Sequence, residues 1–174
     1  MNEDSNPRLL ITTQEQFVHY SSLIRGLLLS ITLVASMNTL AADRIFQTEA
    51  GAIRGYDPVA YFTQNKPVLG TRKYTFVWQE AMWHFVTKAN RDAFAKEPER
   101  YAPSYGGYCA YGMSNGYKIF TSPEAFAIEN GKLYLNYSKP VQNTWNKDRT
   151  GHIVKANANW TELADQPYKQ PKSN

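Results

Sequence analysis

The dipeptide Asn130-Gly131 constrains this chain more than any other feature, because of what stands on either side of it. Phe126-Ala127-Ile128-Glu129 precedes it and Lys132-Leu133-Tyr134-Leu135-Asn136-Tyr137 follows. A two-residue type I′ turn needs positive φ at both central positions, and Asn followed by Gly meets that demand at the lowest steric cost. The flanking aromatic and aliphatic runs therefore predict an antiparallel hairpin. A second hairpin is predicted from residues 73–78 and 82–86, joined through Gln79-Glu80-Ala81.

Helix signals surround these hairpins. Asp57 before Pro58 reads as an N-cap followed by proline at the first helical position. Thr87 predicts the cap of a helix over Lys88–Lys96, with Ala89, Ala93 and Phe94 turned inward and Pro98 beyond its end. Residues 105–113 predict a short helix entered through Gly106-Gly107. Ser122-Pro123 repeats the cap-then-proline order and predicts one more turn. After Pro140, the spacing of Val141, Trp145, Ile153, Ala156, Trp160 and Leu163 puts them on one face of a long helix. The expected architecture is α+β: a small single domain over residues 43–165 with two β-hairpins, short helices and a long C-terminal helix, then a polar tail over 166–174. No internal repeat or long linker is visible. With 4 Trp, 12 Tyr and 8 Phe in 174 residues, a core of large rings needs no covalent staple.

The N-terminal part differs in character. Arg25 precedes the apolar run 26–36, and the small residues Ala41 and Ala42 come before Asp43. A positive flank, a short apolar stretch and a small-residue site describe a secretory signal. A spanning helix needs about twenty apolar residues, so an uncleaved inner-membrane anchor is the alternative reading. Residues 1–42 are thus expected to be leader and signal peptide, with a start near Leu23 giving the more ordinary leader. The expected location is the periplasm, with no integral membrane domain after cleavage. The formal charge of +4 is too small and too scattered to predict nucleic-acid binding. The single cysteine excludes an internal disulfide framework and an all-cysteine zinc site.

Several motifs, in order, resemble those of exported YHS-domain proteins. They are Gly55-Tyr56-Asp57-Pro58-Val59-Ala60-Tyr61-Phe62, Trp83-His84-Phe85, Asn90-Arg91-Asp92-Ala93-Phe94, Pro98-Glu99-Arg100-Tyr101-Ala102-Pro103 and Tyr105-Gly106-Gly107-Tyr108-Cys109-Ala110, followed by the second hairpin. The likeness covers residues 54–161. It implies a small binding module of the kind found beside heavy-metal, particularly copper, transport proteins. Metal-handling members carry a cysteine just after the strand phenylalanine; here Val86 and Thr87 follow Phe85, and only Cys109 remains.

Cys109 and Met113 stand at i and i+4, which on a helix would align a thiolate and a thioether, soft donors suited to Cu(I). His84 would be the third metal ligand if its strand packs against that helix. The competing expectation is that Cys109 is a small buried residue packed among Gly107, Ala110 and Gly112, in a non-catalytic interaction or structural domain. A cysteine nucleophile would need a histidine base and an orienting group. No catalytic constellation, paired carboxylates or phosphate loop is present, so no enzymatic activity is expected.

Overall fold

A computed structural model describes residues 44–168. The expected signal segment, residues 1–42, and the end of the polar tail lie outside the described residues. Within them the architecture is mixed α+β, with three small antiparallel two-stranded sheets and a C-terminal helical stretch. The chain opens with β1 (Gln47–Thr48) paired to β2 (Gly51–Ala52), a small sheet that the sequence did not foreshadow. Then come α1 (Pro58–Gln64), β3 (Thr71–Trp78), β4 (Ala81–Phe85), α2 (Lys88–Lys96) and α3 (Pro98–Tyr101). Next are α4 (Ala110–Ser114), β5 (Ser122–Glu129), β6 (Lys132–Asn136), α5 (Lys139–Trp145) and α6 (Arg149–Leu163). No helix among the described residues is long and apolar enough to cross a membrane.

Both expected hairpins form, β3 with β4 and β5 with β6. Thr87 caps α2 through a bond from the Asn90 amide. Asp57 caps α1 with Pro58 behind it. Two expectations need correction. Ser122-Pro123 lies inside β5 and starts no turn; pairing breaks between Ser122 and Phe126, so the missing amide of Pro123 removes no ladder bond. Residues 105–113 are not one helix, because Tyr105, Gly106 and Gly107 take positive φ (57°, 61° and 84°) and Cys109 is the cap of α4. The expected long C-terminal helical stretch forms over Lys139–Leu163, with a 3-10 turn at Asn146–Asp148 where Asp148 caps α6 through the Gly151 amide.

The larger correction concerns repeats. The structure contains one, which the residue types show only in Gly55-Tyr56 and Gly107-Tyr108. A left-handed turn at Ile53, Arg54 and Gly55 (φ 44°, 61° and 79°) leads into Tyr56 and the cap Asp57. A left-handed turn at Tyr105–Gly107 leads in the same way into Tyr108 and the cap Cys109. The Tyr56 amide donates to the Ile53 carbonyl, and the Tyr108 amide to the Tyr105 carbonyl. Asp57 N–H donates to the Val68 carbonyl at 2.9 Å, and Cys109 N–H to the Ile119 carbonyl at 3.0 Å. A hairpin follows each helix, with a register break at the same place in its first strand and a two-residue turn. A hydroxyl cap then starts a helix, Thr87 in the first repeat and Ser138 in the second.

Two apolar clusters share the repeats between them. The first gathers Ile53, Val59, Tyr61, Trp83, Phe85 and Phe94, and it also receives Leu133 and Leu135 from β6. The second gathers Phe46, Tyr105, Tyr108, Met113, Tyr134, Trp145 and Ala156. The hairpin of the second repeat is therefore buried on both faces. That of the first repeat buries Trp83 and Phe85 on one face and leaves the other to Met82 and His84.

Candidate functional site

The three residues expected to ligate a metal acquire different surroundings. Cys109 is 1% exposed and its sulfur sits at the start of α4. It accepts the Tyr137 amide at 3.2 Å and the Gly112 amide at 3.4 Å, and its thiol donates to Asn136 Oδ1 at 3.7 Å. Burial pushes the thiol pKa above its ordinary value, and the neighbouring amides of Gly112, Tyr137 and Tyr111 only partly oppose that. A neutral thiol suits this cradle, because it can donate to the Asn136 carbonyl oxygen beside the Tyr111 amide, whereas a thiolate has no proton to give.

Met113 is fully buried and packs in the second cluster with Tyr105, Tyr108 and Trp145. It is joined to Cys109 through the backbone, its N–H donating to the Cys109 carbonyl at 2.8 Å. His84 is elsewhere. Strand alternation puts Trp83 and Phe85 in the first cluster and turns His84 to the opposite face. There it lines a depression of about 460 Å³ with Gln47, Thr48, Glu49, Arg72, Thr75 and Met82. Neither Cys109 nor Met113 borders this depression, and His84 has no hydrogen bond to either. Among the described residues, no group of three or more His, Cys, Asp or Glu side chains is arranged to hold a metal.

The repeat explains what Cys109 does where it stands. Its counterpart Asp57 is fully buried. Asp57 Oδ1 accepts the Val59 and Ala60 amides at 2.8 and 3.2 Å. Its Oδ2 accepts the Val86 amide at 2.9 Å and the Asn90 side-chain amide at 2.6 Å. Val86 is the residue just past β4, as Tyr137 is just past β6; Ala60 and Gly112 are matching positions in the two helices. Each cap thus ties the start of a helix to the end of its own hairpin. The Cys109 sulfur occupies the seat of a carboxylate. Sequence reasoning treated Asp57 and Cys109 separately, although Gly55-Tyr56-Asp57 and Gly107-Tyr108-Cys109 carried the signal.

The other histidine of the described residues also finds a structural partner. His152 Nδ1 lies 3.0 Å from Ser114 Oγ, while Ser114 donates its one hydroxyl proton to the Tyr111 carbonyl at 2.7 Å. The imidazole must therefore be the donor to that oxygen, which is the reverse of a base activating a serine nucleophile. A second cleft, also about 460 Å³, has aromatic walls from Trp78, Tyr105, Tyr134 and Trp160. No family model, no curated protein and no solved structure matches this chain.

Proposed function

We propose that this chain is an exported, non-catalytic binding module of YHS type in which Cys109 is a structural cap. One observation carries the reading: the sulfur is buried, and it bonds the Tyr137 and Gly112 amides and Asn136 in the place where the first repeat uses a carboxylate. A metal entering there would have to displace the hydrogen bonds that close the second repeat. The YHS and export readings rest on the motifs of residues 54–161 and on the apolar run before Ala41.

Reduced protein titrated with Cu(I) against a competing chromophoric chelator tests the Cys109 reading. Wild type and Cys109→Ala are expected to take up copper equally and weakly, and iodoacetamide is expected to label the thiol only after denaturation. One equivalent of Cu(I), bound by wild type and lost in Cys109→Ala, overturns the reading and restores the copper site. N-terminal sequencing of protein from the periplasmic fraction tests export, with a start at residue 42 or 43 expected; an intact apolar run there means anchoring.

A further inference from the structure

We propose that the depression containing Arg72 and His84 binds a small organic carboxylate, its head on the guanidinium and imidazole and its apolar tail along Met82. The inference deepens the binding-module reading but rests on none of its claims about Cys109. β2 lies close against β4 at this point. A Cβ at Gly51 would come within 2.7 Å of the Met82 carbonyl oxygen and 3.0 Å of His84 Cδ2, so glycine lets β2 pack against both the strand and the ring.

His84 is 8% exposed, yet neither ring nitrogen has a hydrogen-bond partner among the described residues. Neither nitrogen is one of the sealed, unpaired polar atoms of the core, so a ligand entering the depression can reach the ring. Arg72 stands in the irregular part of β3, where pairing slips between Thr71 and Thr75, and it makes no ion pair among the described residues. It still acts on His84, whose pKa is lowered below its usual value first by burial and then by the Arg72 charge. An uncharged imidazole beside an unpaired guanidinium favours an anion over a metal cation. Glu49 shares the rim but is exposed and forms no ion pair with Arg72, so water screens its charge.

The remaining wall selects among anions. Met82 is 40% exposed and projects from the same face of β4 as His84, with the exposed Val77 paired beside it. The matching residues of β6, Leu133 and Leu135, are buried in the first cluster. The first hairpin thus presents a thioether and an imidazole where the second packs leucines. A guanidinium takes a carboxylate through two parallel hydrogen bonds, and about 460 Å³ falls within the usual size of small-molecule sites.

The full chain, titrated with butyrate and followed by NMR, provides the test. Butyrate is expected to move the His84 Cε1–H and Met82 ε-methyl resonances together and saturably, and to raise the His84 pKa. Arg72→Gln removes an exposed side chain without a partner, so it is expected to unfold like wild type while binding butyrate about tenfold more weakly. His84→Gln is expected to weaken binding as well. The proposal is overturned if neither resonance moves, or if Arg72→Gln binds as wild type does. It is also overturned if butylamine is bound in place of butyrate, or if inorganic phosphate moves His84 while butyrate leaves Met82 unmoved. None of these outcomes bears on whether the Cys109 thiol is sealed.

Discussion

The two repeats reach the same backbone with different chemistry, and the difference separates what the fold requires from what it tolerates. Each requires a buried acceptor at the start of its first helix, because helix amides and the amide just beyond the hairpin converge there. The first repeat supplies a carboxylate with four donors around it, one of them the Asn90 side chain from α2. The second supplies a thiol. Val141 stands where Asn90 would be, and the supporting amide comes instead from Asn136, at the position of Phe85. Its oxygen serves Cys109 and the Tyr111 amide, while its Nδ2 is left without a partner. Sulfur is the weaker acceptor, so the second cap holds with fewer and longer bonds.

The largest effect expected from this comparison is on the caps. Asp57→Ala strands several buried amides at once and should destabilise the domain by about 3 kcal/mol or more, whereas Cys109→Ala should cost about 1–2 kcal/mol. Urea unfolding of both variants measures the gap; equal losses would mean that the caps are not equivalent. The turns come next. Gln79 and Glu80 hold φ of 48° and 59° without glycine, while Asn130-Gly131 holds 50° and 73° with it. Glu80→Gly should stabilise by about 1 kcal/mol through relief of left-handed strain. Gly131→Ala should destabilise by a similar amount for conformational reasons alone, since an added Cβ meets nothing within 4 Å.

The smallest expected effect is on stability just below neutral pH, and it comes from His84 in the first repeat. Because the folded state lowers the His84 pKa, the unfolded chain takes up its proton first as the pH falls. Stability should decline as pH drops through about 6.5 and level off below the folded value. Chemical denaturation between about pH 8 and 5.5 measures the slope, and His84→Gln should remove that contribution. Leu135, its counterpart, has no proton to exchange.

Much of the local structure was legible because it depends on one or two side chains. Asp57-Pro58, Thr87 and Asn130-Gly131 each announce their geometry through a short-range bond or a permitted φ. The repeat left only the shared Gly-Tyr before each cap in the sequence, since the rest of its signature is a set of backbone bonds made by unlike residues: Gln79-Glu80 turns as Asn130-Gly131 does, and Cys109 caps as Asp57 does. His84 was singled out for its chemistry, and its strand sets it beside Arg72 and Met82. Strand alternation sends it away from the core, and the partner that matters, Arg72, sits where broken pairing removes the period-two pattern. Cys109 and Met113 keep the i, i+4 backbone bond, but as the cap Cys109 turns its sulfur onto the Gly112 and Tyr137 amides while Met113 packs in the second cluster.

The caps also bear on how the chain can fold. The Asp57 carboxylate reaches an amide 29 residues on, and the Cys109 sulfur reaches one 28 residues on. Loops of this modest size close at limited entropic cost, so each half can organise from contacts within itself. Leu133 and Leu135 set the limit on that independence: lodged in the neighbour's interior, they would leave a void there if the second half opened alone. Cooperative unfolding of the pair follows, and a fragment ending before β6 should not survive as a folded unit.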